Sequence, residues 1–321
     1  MTWLVTGGAG YIGAHVVRAF LAEGMDVAVV DDLSTGHRRF VPERVPFLEA
    51  DVNDVEALAA FMAEQSVAGV VHVAGFKYAG VSVSEPLRTY RTNVAGTAAV
   101  LQAMEVAGVE AIVFSSSAAV YGTPDVDTVT EDTPTAPESP YGESKLIGEW
   151  LLADQGRARG IRHTSLRYFN VVGSGAPELP DTSPHNLFPL VFTALAEGRV
   201  PRINGDDYPT EDGTCVRDYV HVADLAAAHV TAARRLAAGR RLRPVYNLGS
   251  GTGTSVRQIV EAIVAQTGAD VLPEVHPRRP GDPARIVADG SAAAADLGWA
   301  MRHSLAQMVS SAWAAHSAAP G

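Results

Sequence analysis

The chain has 321 residues, 47% of them hydrophobic and 19% charged, with a formal net charge of −11. That length carries one large or two modest domains around a sizeable core, and the composition is that of a folded globular protein. The acidic balance excludes the basic face of a nucleic-acid binder, the single Cys215 excludes an intrachain disulfide, and no apolar run approaches the 18 or so residues of a membrane span.

The first half alternates strand-like and helical runs. TWLVTG reads as a strand and 11–23 as a helix; DVAVVDD and VPFLEAD are strands; a helix over 54–65 leads to the strand GVVHVAG. A long helix is predicted over 86–107, with Ser84 placed as its cap and Pro86 in its first turn. EAIVFSS is a strand, 139–155 a helix with Pro140 in its first turn, and IRHTSLRYFN a strand. The strands are continuous Val/Ile/Leu runs, the pattern of a parallel sheet buried on both faces. Beyond residue 170 the alternation breaks: 172–214 is rich in Gly, Pro and Asp with one helix near 187–198. VRDYVHVADLAAAHV and PVYNLGS then read again as sheet and helix, before a mixed segment over 251–321. The expected fold class is α/β, a Rossmann-type doubly wound parallel sheet with a smaller mixed α/β substrate domain. Residues 1–171 with 215–250 form the expected dinucleotide-binding domain, and 172–214 with 251–321 the substrate domain. A strand starting at residue 2 stands where a signal peptide would, and the expected location is cytoplasmic. No metal site is read from the sequence.

Three motifs carry chemistry. VTGGAGYIG sets Gly7, Gly10 and Gly13 between a strand and a helix, where the backbone can approach a pyrophosphate and the helix N-terminus supplies donors. The next strand ends in Asp31, whose carboxylate can accept from both ribose hydroxyls of NAD and repels the 2′-phosphate of NADP. Tyr141 and Lys145, four apart on a helix, share a face. A free tyrosine titrates near pH 10. One cation about 5 Å away at an effective dielectric of about 20 is worth roughly 3 kcal/mol, more than two pKa units. Lys145 and an oxidised nicotinamide together are therefore expected to bring Tyr141 toward neutrality. The third motif, SSSAAVYG, places Ser115, Ser116 and Ser117 at a strand end beside the plain Ala118 and Ala119.

TGGAGYIG, DDLSTG, AGFKYAG, FSSSAAVYG, SPYGESK, LRYFN, GDDYPTEDGTCVRDYVHVADLA, YNLGSG and RRPGD occur in that order over the whole chain. Together they resemble the UDP-glucose 4-epimerase family of the extended short-chain dehydrogenase/reductase superfamily. The resemblance implies an isomerase: C4 of a UDP-sugar is oxidised with bound NAD, a transient 4-keto sugar turns over in the pocket, and reduction from the opposite face returns NAD from bound NADH. Related dehydratases carry an Asp and a Glu where this chain has Ala118 and Ala119, and decarboxylases commonly keep a Glu there. The two alanines thus leave oxidation without local groups for elimination.

Tyr141, Lys145 and Ser117 are the implied catalytic residues, Ser117 relaying the proton. The implied cofactor contacts are Gly7, Gly10, Tyr11, Ile12, Gly13, Asp31, Asp32, Leu33, Ser34, Asp51 and Val52 (the last two by the adenine), Val73, Ala74, Lys77, Asn93, Ser115, Ser116, Tyr141, Lys145 and Tyr168. The implied substrate contacts are Lys77, Ser117, Tyr141, Phe169, Asn170, Asn186, Leu187, Arg217, Tyr219, Arg279, Asp282 and Ile286. Plainer readings stand beside these: Ser115 and Ser116 as strand-end caps, Asn93 as a tolerated mid-helix residue, Asp32 and Arg278 as solvated charges, and Arg217 paired with Asp218. The chain departs from the family at Asn204, where an aromatic residue usually meets the uracil, and over 174–183. Ile286 occupies a position that sets sugar size. The implied partners are a UDP-sugar and a second copy, a homodimer through the two long helices. Epimerisation of UDP-N-acetylhexosamines or UDP-pentoses, and an NAD-sensing regulator, are the alternatives.

Overall fold

The structure, a computed structural model, describes residues 1–278 and 283–318. Strand β1 (Thr2–Thr6) runs into helix α1 (Tyr11–Ala22), followed by β2 (Val27–Asp31), β3 (Phe47–Glu49), α2 (Val55–Glu64) and β4 (Val67–His72). Then come α3 (Ala79–Ser84), α4 (Pro86–Tyr90), a π-helical turn (Arg91–Ala95), α5 (Gly96–Ala107), β5 (Ala111–Ser117), α6 (Pro140–Arg159), β6 (Arg162–Tyr168) and β7 (Asn170–Val172). The remainder holds α7 (Leu187–Ala196), β8 (Arg202–Asn204), β9 (Val216–His221), α8 (Val222–Ala237), β10 (Val245–Leu248), β11 (Gly253–Ser255), α9 (Val256–Thr267), β12 (Glu274–His276), β13 (Arg285–Ile286), α10 (Ser291–Leu297) and α11 (Leu305–Ala318).

Seven parallel strands form one sheet in the order β10–β6–β5–β4–β1–β2–β3. The apolar runs are continuous because alternate side chains enter two different cores. Along β1, Trp3 and Val5 face α1 and α8 with Val16, Phe20 and Leu225, while Leu4 faces α2 and α5 with Leu58, Val100 and Met104. This is the doubly wound Rossmann-type arrangement. Its strand order reverses between β1 and β4, and that switch opens a crevice at the carboxyl ends of the strands. A smaller sheet, β11–β9–β13 with β7 on β9, and the pair β12–β8 lie beyond it, packed on α7, α9 and α11 around Phe188, Phe192, Ile259 and Ile263. No described helix is long and apolar enough to cross a membrane.

The 86–107 segment departs from the single helix expected of it. Ser84 closes the extra helix α3, its Oγ donating to the Val81 carbonyl at 2.9 Å, and caps nothing. Pro86 opens α4 after Glu85, which makes no side-chain cap bond. The π turn then widens the ladder around Asn93. Helix α6 begins as expected, with Ser139 Oγ accepting from the Gly142 amide at 3.2 Å, but runs to Arg159 and stops at Gly160 in the left-handed region. Strand β9 pairs within the smaller sheet, whereas α8 and β10 after it belong to the large one.

Asp218 binds these pieces together. This fully buried carboxylate accepts from the Ser250 amide at 2.7 Å, the Ala288 amide at 3.1 Å and the Gly251 amide at 3.2 Å. It does not pair with Arg217, whose Nη1 donates to the Val216 and Pro283 carbonyls. Asp218→Ala leaves three amides without their acceptor, each costing about 1–3 kcal/mol when buried. Urea denaturation should register a loss of at least about 1 kcal/mol, because the Ala288 amide is buried and the Ser250 and Gly251 amides partly so, with Asp218→Asn losing less because one acceptor oxygen remains.

Candidate active site

The turn from β1 into α1 is shaped by what its glycines lack. Gly7 has φ +72°, and a Cβ on Gly13 would fall 2.0 Å from the Gly7 carbonyl oxygen, so the helix can enter this tightly only with glycine there. Gly10 at the cap offers no side chain to occupy the first-turn N–H groups of α1. At the end of β2, Asp31 accepts from the Ala9 amide and the Leu33 amide, both at 2.9 Å, which ties it to the glycine turn. Burial raises its carboxyl above the usual range, and these two bonds oppose the rise. Each oxygen keeps acceptor capacity toward the cavity that Asp31 lines. Asp32, by contrast, accepts from Ser34 Oγ at 2.6 Å and the Ser34 amide at 3.0 Å. A bare glycine cradle, an uncapped helix end and a strand-end carboxylate together fit a dinucleotide.

The cavity over the sheet's switch point has a volume of about 440 Å³. Of the residues singled out from the sequence, Gly7, Gly10, Tyr11, Ile12, Gly13, Asp31, Asp32, Ser34, Asp51, Val52, Val73, Ala74, Lys77, Tyr141, Lys145, Tyr168, Phe169, Asn170, Asn186, Leu187 and Tyr219 line it. Leu33, Asn93, Ser115, Ser116, Ser117, Arg217 and Ile286 stand outside its lining. Arg279 and Asp282 lie outside the described residues. Sequence reasoning missed Phe76, Tyr78, Arg88, Asp181 and Phe188, which also line the cavity. Arg88 lies over the Phe76 ring at 4.8 Å, and Tyr78 meets His185 edge-on at 4.6 Å. Phe76 and Tyr78 flank Lys77 inside the quoted AGFKYAG motif. Asp181 sits in the individual loop, where no local pattern marks it.

The serines of β5 diverge. Ser115 Oγ bonds His229 Nε2 at 2.9 Å, and Ser116 Oγ donates to Glu149 Oε1 at 2.5 Å. Both side chains therefore turn into the core, and any ligand contact of theirs falls to the backbone. Ser117 Oγ accepts from the Ala119 amide at 3.1 Å and acts on the Tyr141 hydroxyl, lowering its pKa. Lys145 Nζ donates to the Ser115 carbonyl at 2.9 Å and lies 5.9 Å from the centroid of the Tyr141 ring. Tyr141 keeps partial exposure to the cavity, yet its hydroxyl is enclosed. Burial pushes it above 10, with Ser117 acting against that. The protein alone thus leaves Tyr141 protonated at neutral pH; the lowering expected of Lys145 together with an oxidised nicotinamide needs the charge of that ring. Burial brings Lys145 down to about 8, opposed by the charge of Glu149.

Asn93 is no bystander in mid-helix. Its Oδ1 accepts from the Phe76 amide at 2.6 Å, and its Nδ2 donates to the Phe76 carbonyl at 3.0 Å and Ser144 Oγ at 2.8 Å. It fastens the loop carrying Lys77 to the helix carrying Tyr141. On the far wall, Tyr219 of β9 stands in register beside Asn170 of β7, and Asn186 donates to Asp181 Oδ2 at 2.7 Å just before α7. Ile286 packs in a buried cluster with Leu146 and Phe169 behind the wall. Arg278 is exposed, as expected of a solvated charge, and pairs at the surface: its Nε donates to Asp207 Oδ1 at 2.6 Å and its guanidinium lies 4.0 Å from the Tyr208 ring centroid.

Residues 3–249 match the NAD dependent epimerase/dehydratase family. The chain is 44% identical to a UDP-glucose 4-epimerase of Corynebacterium glutamicum, over 99% of this chain and 96% of that protein. It is 43% identical to one of Streptomyces lividans, over 99% and 97%. A crystal structure of UDP-glucose 4-epimerase from Stenotrophomonas maltophila, with bound NAD and formylated UDP-arabinopyranose, superposes with a TM-score of 0.94 at 41% identity, covering 99% of this chain and 98% of that one.

Gly13→Ala places a methyl group against the Gly7 carbonyl and forces helix and turn apart. The variant should purify with at least about tenfold less bound dinucleotide, the cost of a small overpacking, while its far-ultraviolet circular dichroism stays that of the parent. Extraction and chromatography of the cofactor measure this.

Proposed function

The chain belongs to the NAD dependent epimerase/dehydratase family, and from that premise we propose that it interconverts UDP-glucose and UDP-galactose by inverting C4. The observation that carries the reading is Tyr141 lining the cavity at the strand end, where Ser117 is followed directly by Ala118 and Ala119. A proton acceptor and its relay stand at the strand end, with no carboxylate in that segment to eliminate water once C4 is a ketone.

When bound, the oxidised nicotinamide supplies reversible hydride acceptance and the positive charge that enclosed Tyr141 lacks. The protein's own tasks follow from its geometry. Gly7, Gly10 and Gly13 admit the pyrophosphate, and Asp31 accepts from the adenosine ribose hydroxyls. Tyr141 takes the C4 hydroxyl proton, directly or through Ser117, and gives it back after the 4-keto sugar has turned over. Asn170, Asn186, Leu187 and Tyr219 hold the UDP end, so the sugar can turn without leaving. The dinucleotide-binding part is the large sheet with its helices; the substrate part is built on the smaller sheets with α7, α9 and α11. A lone, buried Cys215 suits a reducing compartment, in keeping with a cytoplasmic location.

The same reading includes a homodimer. Helices α3 and α4 pack on α6, and this surface exposes Val83 (64%), Leu87 (82%) and Trp150 (57%). Large apolar side chains gathered on one face are the composition of an interface.

Tyr141→Phe should retain bound NAD but lose at least about 10²-fold in kcat, the span of an acid–base group; coupled assays with each UDP-sugar measure it, and turnover near that of the parent refutes the assignment. Sedimentation velocity should give a dimer for the parent and a monomer for Leu87→Arg/Trp150→Arg.

A further inference from the structure

Tyr141, Lys145 and Glu149 stand at four-residue intervals on the face of α6 that packs on β5 and β6, each one turn from the next. Glu149 has no part in the proton path above, yet it is nearly inaccessible, and three donors converge on it. Ser116 Oγ at 2.5 Å and Arg167 Nε at 2.8 Å reach Oε1, and Arg167 Nη2 at 2.6 Å reaches Oε2. This is the bonding pattern of an ionised carboxylate, which only accepts. Arg167 in turn donates to the Tyr121 hydroxyl at 2.9 Å, and Tyr121 donates to Asn247 Oδ1 at 2.7 Å, so the pair is held from α6, β5, β6 and β10. A buried ion pair is weak ground for stability, because apolar residues of the same volume often serve as well. Its presence one turn from the reacting pair asks for a chemical reason.

We propose that Glu149 is a positioning residue for the reaction: its charge, fixed in place by Arg167 and Ser116, holds Lys145 in the ammonium form that acts on Tyr141. This rests on the epimerase reading above. Lys145 is enclosed, with its Nζ on the Ser115 carbonyl at 2.9 Å and 5.0 Å from the Phe114 ring centroid. The titratable groups packed around it are Tyr141 and Glu149 from α6, His72 from β4, and Arg167 and Tyr168 from β6, with Lys77 on the cavity wall. Burial holds His72 at about 3, so it carries no charge at neutral pH, and burial keeps Tyr168 protonated. Among these groups Glu149 is the one negative charge. Desolvation draws the Lys145 ammonium down to about 8, and the field of Glu149 is what resists it. Without that field the lysine becomes a neutral amine in the pH range of turnover and no longer favours a tyrosinate.

The chain contains two lysines, Lys77 and Lys145, and this makes the test direct. NAD-loaded protein labelled with 13C at lysine Cε yields one exposed and one buried side-chain signal. Both are titrated by NMR from about pH 6 to 12, a range spanning the perturbed and ordinary lysine values, alongside kcat and KM from about pH 6 to 10. The proteins compared are the parent, Glu149→Gln, Glu149→Asp and the apolar pair Glu149→Leu/Arg167→Met. Glu149→Gln, which leaves the Arg167 cation unopposed, should move the buried signal down by about one pH unit or more while the Lys77 signal stays put, and the double variant, which removes both charges, should move it the same way by less. The alkaline limb of kcat should follow by the same amount, an approximately fivefold loss at pH 8 with KM unchanged, and Glu149→Asp should recover part of it. A buried signal that titrates as in the parent in folded Glu149→Gln overturns the proposal, as does a rate loss whose pH limb has not moved. If Glu149→Gln does not fold, the double variant carries the same criterion; failure of both to fold makes the pair a stability element and also overturns it. Absence of epimerase activity in the parent would refute the epimerase reading instead, with the lysine titration still reporting the field of Glu149.

Discussion

Putting a cation inside the protein at the end of a buried strand is the constraint around which the site is organised. An enclosed ammonium loses its hydration, and the loss must be met by oxygen atoms held at fixed points. The Ser115 carbonyl meets it directly, at 2.9 Å from Lys145 Nζ. Glu149 meets it through its charge, and Arg167 then has to meet Glu149. Each compensating group is itself buried, so the requirement spreads outward through Tyr121 and Asn247 until it reaches backbone at Val129. The reacting face of α6 and the β5, β6 and β10 strand ends therefore form one polar network with few degrees of freedom. Tyr141, at the cavity end of that network, inherits its position from it.

The remainder of the cavity comes from topology. Strand order reverses beside β1, the helices leave on opposite faces, and the gap they leave is where the glycine turn sits. Two fastenings keep its walls in register. Asp31 ties β2 to the glycine turn through Ala9, and Asn93 ties the Lys77 loop to α6 through Phe76 and Ser144. The π turn at Asn93 fits this second task, since the locally widened helix turns that residue's amide toward both neighbours. Asp218 does the equivalent work for the far wall, drawing three backbone amides onto one carboxylate where the smaller sheet meets the loop after β10.

Much of this was legible along the chain because the physics behind it is local. A strand buried on both faces must be apolar throughout, a helix entering a pyrophosphate cradle must begin with glycines, and a Tyr and Lys on one face must stand four apart. The first half of the fold, the dinucleotide turn with Asp31, and the Tyr141–Lys145 pair follow from such rules. The family resemblance extended the reading to the far wall, where Asn170, Asn186, Leu187 and Tyr219 do line the cavity.

What the sequence determined by itself, then, is which segments become strands and helices and which short motifs can meet a phosphate or a proton. Only the tertiary structure decided who faces whom: Ser116 on Glu149 rather than on the ligand, Asp218 on backbone rather than on Arg217. It also decided that the protein alone raises Tyr141, because desolvation depends on everything that closes over a group. The partners lie tens of residues apart, and no period or motif encodes such a pairing. Hydrogen-bond partners and burial are properties of packed space, and the chain acquires them only when distant segments meet.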